Sequence, residues 1–462
     1  MKRGKERKRM IFNYDEPERK KLHRRRHLTP FQIIIMSFAG TILAGALLLM
    51  LPLSSAEGKV TSFFDALFTS TSAVCVTGLV VYDTASYWSA FGQSVLLLLI
   101  QIGGMGIITA ALSLIVVSGR KINLMHRSTI QEALAAPKAG GIVNLTLFVI
   151  KTIFMLEAAG ALLLMPAFCG DFGMKRGIWL SVFHSISAFC NAGFDLMGTG
   201  AEFSSLTSYG GNILINTVIM LLITVGGIGF ITWDDIKENG FRLYKYRMQS
   251  KVVLCTSGVL IMTPAAYFFF CEFSDTALGE RLLYSFFQSV TARTAGFNTA
   301  DLTTITGAGQ LLLIMLMLIG GSPGSTAGGM KTTNIAVLFS AALSVFRKES
   351  YAHFFGRRIE DQIVRNAIAL LLMYMALFLT GGMIISRVEG LPVMTCLFET
   401  ASAVGTVGLS LGITPELGGI SHIILMILMF FGRVGGLTVI YAAVSGNRKT
   451  VAKLPQGKIA VG

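Results

Sequence analysis

The chain has 462 residues, 53% of them hydrophobic and 14% charged, where a soluble domain carries roughly a quarter charged residues. That composition excludes an ordinary water-soluble domain. The net charge of +14 sits in clusters between apolar runs, which argues against a nucleic-acid surface.

Residues 1–28 form a basic arm that includes Lys2, Arg3, Lys5, Arg7, Lys8 and Arg9. The first apolar run, Phe31–Leu51, exceeds the about 7–15 residues of a signal-peptide core, so it reads as a transmembrane helix. Further runs follow at Ser94–Val117, Ile142–Pro166, Ile213–Ile231, Val252–Phe270, Ala367–Ile385 and Ile423–Ala443. As helices, each is long enough for roughly 30 Å of hydrocarbon. More basic clusters lie at Arg120/Lys121/Arg127, Lys237–Lys251, Arg347–Arg358 and Arg448–Lys458, while Pro52–Ser89 and Val388–Ile420 are nearly free of Lys and Arg. This alternation predicts two cytoplasmic termini and an even number of crossings. The basic arm reads as a topology signal touching anionic lipid. The six cysteines show no CxxC spacing, hence neither a metal site nor a disulfide framework.

Four stretches align on one glycine: "FTSTSAVCVTGLV", "FHSISAFCNAGFD", "FFQSVTARTAGFN" and "FETASAVGTVGLS". The glycines are Gly78, Gly193, Gly296 and Gly408, at intervals of 115, 103 and 112 residues. A phenylalanine stands ten residues before each: Phe68, Phe183, Phe286 and Phe398. Each glycine is preceded by a long apolar run and a short amphipathic stretch. Each is followed by an apolar run holding a glycine pair: Gly103–Gly104, Gly226–Gly227, Gly320–Gly321 and Gly435–Gly436. The expected unit is helix, re-entrant half-helix, extended loop, helix. Four units give an all-α integral membrane fold of eight spans around a central pore. The expected divisions are a basic arm at 1–28, repeats at 29–118, 119–240, 241–350 and 351–447, and a cytoplasmic tail at 448–462.

Non-helical backbone at membrane depth is tolerated only inside protein or along a water-filled cavity. Four such loops around an axis do both, and their carbonyls replace the hydration shell of a cation. Glycine permits the positive φ that such a loop needs. The half-helices point their partly negative ends at the axis. The expected filter residues are Val76, Thr77 and Gly78; Asn191, Ala192 and Gly193; Thr294, Ala295 and Gly296; and Thr406, Val407 and Gly408, with the ion at their backbone carbonyls. The plainer alternative, four interfacial loops with tight turns, gives no reason for the fourfold match. Arg293 stands three residues before Gly296. A cation lining a cation filter repels its substrate, so Arg293 is expected to tie the loop to a neighbouring acid such as Glu399.

The stretch from Gln310 to Phe346 would be roughly 55 Å long as one helix, far more than a bilayer needs. It reads as two half-helices joined by a mobile, polar loop across the ion path. The loop comprises Gly320, Gly321, Ser322, Pro323, Gly324, Ser325, Thr326, Ala327, Gly328 and Gly329. Lys331 ends it and either faces the path or, the favoured reading, snorkels to the interface. Arg433 lies in the Gly-rich part of the last helix and is a functional candidate by its depth, and packing against loop carbonyls or a buried acid is the plainer, compatible alternative. "GSTAGGMKT" misses the phosphate-loop spacing, because Met330 separates Gly329 from Lys331, and it follows no strand.

These motifs, with "GGSPGSTAGGMKT" and "GRVGGLT", resemble the Trk, Ktr and HKT superfamily of potassium transporters over roughly residues 28 to 450. The resemblance is nearest to Ktr membrane subunits of the KtrB type. It implies potassium uptake at the plasma (inner) membrane through one pore per chain, with residues 320–329 as an intramembrane gate and Arg433 at the constriction beside it. It also implies sodium dependence, a membrane homodimer and a cytosolic ring of nucleotide-binding RCK subunits. Only one glycine is common to the four loops, so looser K+/Na+ discrimination than in a TVGYG channel is expected. No covalent cofactor is expected. A secondary transporter with its substrate site at the broken helix is the alternative, although four same-orientation units differ from the usual inverted pair. An enzyme is not expected, since the deep acids Glu157, Asp195 and Glu399 are scattered along the chain.

Overall fold

A computed structural model describes residues 29–107, 142–198, 202–436 and 438. The basic arm, the Arg120–Arg127 cluster, the Arg448–Lys458 cluster and the ends of two apolar runs (108–117 and 439–443) lie outside the described residues. Among those described, the regular structure is helical apart from a short hairpin pairing His353–Phe354 with Arg357–Arg358.

Four long helices, here called outer, cover Pro30–Leu49, Ile142–Phe172, Met248–Tyr267 and Asp361–Glu389. Each leads to a short helix: Phe63–Cys75, Met174–Phe189, Leu278–Thr291 and Val393–Gly405. After a loop through the shared glycine comes an inner helix: Ala90–Met105, Ile213–Ile228, Gly307–Leu318 or Gly419–Val434. Local chemistry sets the starts. Thr29 and Gln32 form a reciprocal capping box with Pro30 at the first helical position. Ser89, Asn212 and Thr306 cap the first three inner helices through side-chain oxygens that accept backbone N–H groups.

Four helices are long and apolar enough to cross a membrane among the described residues: Phe31–Leu49, Asn144–Phe172, Met248–Glu272 and Asp361–Glu389. A fifth counts if Ile213–Ile228 and Phe230–Asn239, bent by 96° at Gly229, form one span. The inner helices fall short of the expected lengths because glycines interrupt them.

Packing arranges these helices in a circle. Each short helix packs against its own outer helix. Each inner helix also packs against the next short helix in chain order, and Gly419–Val434 returns to Phe63–Cys75, closing the circle. Buried hydroxyls fasten the short helices to the outer ones. Ser70 donates to the Ile42 carbonyl at 2.7 Å, Ser185 to Glu157 at 2.6 Å, Ser289 to Ile261 at 2.7 Å and Thr400 to Phe378 at 3.2 Å. Each such bond contributes about 1 kcal/mol net. Gly45 and Gly160 lie beside Ser70 and Ser185, where a Cβ would overlap the hydroxyl.

The tethers correct one sequence anchor. Ser70, Ser185 and Thr400 stand eight residues before their glycines, but Ser289 stands seven before Gly296. The third loop is therefore one residue shorter. Phe287, fully buried, occupies the place of Phe68, Phe183 and Phe398, while Phe286 is only half-buried. The adjacent rings Phe286 and Phe287 mask this shift in the sequence.

Candidate functional site

The four loops share a backbone pattern. The residue two before each glycine has a left-handed φ: Val76 at 56°, Asn191 at 60°, Thr294 at 69° and Thr406 at 52°. The glycines follow at 91°, 69°, 85° and 95°. Positive φ at a β-branched residue costs of order 1–3 kcal/mol and persists only where the surroundings impose it.

Hydroxyls of the short helices impose part of it. Ser72 accepts the Gly78 N–H at 3.1 Å, and Ser402 accepts the Gly408 N–H at 2.9 Å. In the other two loops the hydroxyl donates instead, Ser187 to the Phe194 carbonyl and Thr291 to the Phe297 carbonyl, both at 2.6 Å. A peptide plane directs its N–H and C=O oppositely. Drawing the Gly78 and Gly408 N–H groups back to the short helices thus turns the Thr77 and Val407 carbonyls away from them. Ser402→Ala is expected to cost about 1–3 kcal/mol by leaving the Gly408 N–H without its acceptor, read as a lower thermal unfolding midpoint in detergent.

The carbonyls meet the neighbouring loops in strict rotation. A Cβ on Gly78 would stand 2.5 Å from the Ala192 oxygen, and one on Gly193 would stand 2.7 Å from the Ala295 oxygen. A Cβ on Gly296 would overlap the Val407 oxygen, and one on Gly408 the Thr77 oxygen. The order 78, 193, 296, 408 and back to 78 is a closed ring of glycines with no room for a side chain. The hydroxyl oxygens of Thr77 and Thr406 are buried there without a hydrogen-bond partner.

Two cavities flank the ring. One, of ≈ 310 Å³, touches all four glycines and is lined by Asp83, Asp195 and Glu416 among others. The other, of ≈ 360 Å³, is lined by Gly104, Gly324, Gly329 and Gly435, with Lys331 and Arg433 as its charged groups. The electrostatic contrast is plain: acids on one side, bases on the other.

Residues 320–329 lie between the ring and the second cavity. The segment leaves and rejoins the inner helix through a bridge between Ile319 and Met330, with the Gly320 N–H on the Met330 carbonyl at 2.8 Å. It is anchored on three sides. Ser322 N–H donates to the Gly227 carbonyl at 2.9 Å, Gly329 N–H to Gly432 at 3.2 Å, and the Thr326 hydroxyl to Phe189 at 3.0 Å. A Cβ on Gly328 would overlap the Thr406 hydroxyl, so the segment sits directly against the fourth loop. Thr332 opens the second half-helix, Thr332–Phe346.

The other inner helices break at a matching level. Gly103, Gly226 and Gly432 back onto the carbonyls of Val74, Phe189 and Val404, each four residues before its ring glycine. Three residues later comes a left-handed glycine that ends the helix: Gly106 at 81°, Gly229 at 100° and Gly435 at 88°. The fourth counterpart of Gly103 is therefore Gly432, not the pair Gly435–Gly436, because close helix packing and not glycine pairing sets the register.

The TrkH family model, described as a cation transport protein, matches residues 16–453. The chain belongs to the TrkH family of cation transport proteins. It is 38% identical to the potassium/sodium uptake protein NtpJ of Enterococcus hirae, over 95% of this chain and 98% of that one. It is 36% identical to the Ktr system potassium uptake protein B of Bacillus subtilis, over 94% and 97% of the two chains. The crystal structure of the potassium transporter TrkH from Vibrio parahaemolyticus matches with a TM-score of 0.70 at 21% identity, covering 91% of this chain and 86% of that one. That match shows a shared fold.

In this TrkH-family chain two basic residues, Arg293 and Lys331, fall differently from the sequence expectation. Arg293 does not pair with Glu399. Its guanidinium donates to the Ser257 hydroxyl on the third outer helix at 3.2 Å, because the shortened third loop turns it outward. Glu399 accepts instead from the hydroxyls of Ser410 and Thr414. Lys331 folds back onto its own segment, donating to the Ala327 carbonyl at 2.8 Å and the Gly328 carbonyl at 3.3 Å. Arg433 donates to the carbonyls of Thr326, Gly103 and Gly104, joining the first and fourth inner helices to the 320–329 segment. Sequence reasoning missed the acids Asp83 and Glu416, whose isolated positions in loops gave no signal.

Proposed function

We propose that this chain takes up potassium ions across the plasma membrane through a single-chain pore. The closed ring of four glycines is the observation that carries the reading. Val76–Gly78, Asn191–Gly193, Thr294–Gly296 and Thr406–Gly408 would form the selectivity filter, with K+ held at their carbonyls. The acidic cavity would be the outer mouth, where Asp83, Asp195 and Glu416 raise the local cation concentration. Residues 320–329 with Lys331 and Arg433 would form the gate on the cytoplasmic side, a polar backbone plug backed by two positive charges.

The pore repeats would be 29–118, 119–240, 241–350 and 351–447, giving eight crossings once the interrupted inner helices are completed. The alternation of basic clusters along the sequence supports two cytoplasmic termini. Breaks at Gly106, Gly229 and Gly435, in addition to the third-repeat loop, favour a fourfold pore over a transporter with one broken substrate helix. Sodium dependence, a homodimer and a cytosolic nucleotide-binding ring follow from the Ktr resemblance. The name of the Enterococcus hirae relative supports potassium and sodium as candidate transported ions, and that of the Bacillus subtilis relative supports potassium.

The test is uptake of radioactive rubidium into liposomes holding the purified protein, with and without the cytosolic subunit and nucleotide. Uptake that external K+ suppresses more strongly than Na+ supports the reading. No uptake under any of these conditions sinks it.

A further inference from the structure

A second tier of polar side chains stands behind the glycine ring. Nine residues before Gly78, Gly193 and Gly408 are Thr69, His184 and Glu399; in the shortened third loop the counterpart is Gln288. All four are buried. Three of them reach the strand that leaves the glycine. His184 faces the Leu180 carbonyl through Nδ1 at 2.7 Å, so Nδ1 carries the proton and Nε2 accepts the Leu196 N–H at 3.4 Å. Gln288 donates to the Asn298 side chain at 3.3 Å. Glu399 accepts from Ser410 and, at 2.9 Å, from Thr414. The Thr69 hydroxyl reaches nothing.

The tier is therefore unequal, and Glu399 is its one acid. Among the described residues its carboxylate meets the Ser410 and Thr414 hydroxyls and the Leu411 backbone N–H, and no cationic side chain. A buried carboxylate without a counter-charge is costly, and a cation held nearby offsets that cost. Ser410 and Gly408 both line the acidic cavity, so the carboxylate stands one hydroxyl away from it. Ser410 also accepts the Gly412 N–H at 2.9 Å, and Thr414 passes its carbonyl to His422, whose ring lies 4.8 Å from that of Phe68 on the first short helix.

We infer that Glu399 is a positioning residue for cation recognition: through Ser410 it fixes the outer mouth of the fourth loop and supplies the negative field that favours a monovalent cation there. The fourth loop is then the rigid sector of the ring, braced by a charge, and the first loop is the least braced.

The inference rests on the glycine ring being a cation filter, and the experiment separates the two. Rubidium uptake into liposomes is measured for the natural protein, Glu399→Gln and Ser410→Ala, with competition by K+ and Na+, and thermal unfolding is followed in parallel. Both variants are expected to conduct but to lose about tenfold of the preference for K+ over Na+. A role in folding alone would lower the unfolding midpoint without moving that ratio. Unchanged ratios in both variants overturn the inference while leaving the pore intact. If Glu399→Gln fails to fold, Ser410→Ala decides alone, since losing one small cavity-lining hydroxyl leaves the fold standing. A natural protein without flux, both with and without the cytosolic subunit and nucleotide, removes the filter reading and this inference with it.

Discussion

Gly296→Ser is expected to abolish most discrimination between K+ and Na+, with a fall of the order of a hundredfold in the competition ratio for rubidium uptake. Two independent penalties act at this position. The backbone sits at φ 85°, where any residue with a Cβ is strained by roughly 1–2 kcal/mol. The new Cβ would also overlap the Val407 oxygen and stand 3.1 Å from the Gly193 Cα and 3.2 Å from the Gly408 Cα. Since those atoms belong to two other loops, the displacement spreads round the ring. Relief of about 2–3 kcal/mol of combined strain by shifting carbonyls corresponds to this change in ion preference. Gly58→Ser is the control. Gly58 also has a positive φ, 70°, but no atom lies within 4 Å of its Cβ position, so it carries the backbone penalty without the ring contact. A Gly296→Ser protein that keeps the natural K+/Na+ ratio would show that the ring does not select ions.

Much of this ring was legible in the sequence, and the reasons are specific. Gly78, Gly193, Gly296 and Gly408 stand out because a crowded, left-handed backbone tolerates nothing else. The break at residues 320–329 was visible because five glycines and a proline cannot continue a helix. Other features left weak or misleading traces. The one-residue shortening of the third loop is hidden by the adjacent Phe286 and Phe287, and only the hydroxyls Ser289 and Thr291 betray it. The breaks at Gly106, Gly229 and Gly435 look like ordinary glycines within apolar runs, although Gly103-x-x-Gly106, Gly226-x-x-Gly229 and Gly432-x-x-Gly435 share a spacing. The partners of Arg293 and Lys331 were illegible because they are a hydroxyl and backbone carbonyls, and although loop carbonyls could be expected for Arg433, which carbonyls could not. A sequence pattern suggests acids for bases, whereas carbonyl acceptors have no identity in the sequence.

Arg433→Gln is expected to raise unregulated rubidium uptake by roughly tenfold, and deletion of residues 320–329 to raise it further. The arginine contributes twice. Its guanidinium ties the Thr326 carbonyl to those of Gly103 and Gly104, so its loss frees the segment from the first inner helix. Its charge also lines the second cavity, through which the proposed pore would lead an ion. At an effective dielectric of about 20, a unit charge roughly 8 Å away repels a cation by about 2 kcal/mol, enough for a change of more than tenfold in rate. Deleting the segment removes the backbone plug as well, and its ends are already neighbours through the Ile319–Met330 bridge. The two variants separate electrostatics from obstruction. If the charge dominates, Arg433→Gln approaches the deletion and Arg433→Lys stays near the natural rate. If the plug dominates, the deletion far exceeds both. Flux that is unchanged in the deletion would show that residues 320–329 do not obstruct the path, and would leave Arg433 with the single role of joining two helices.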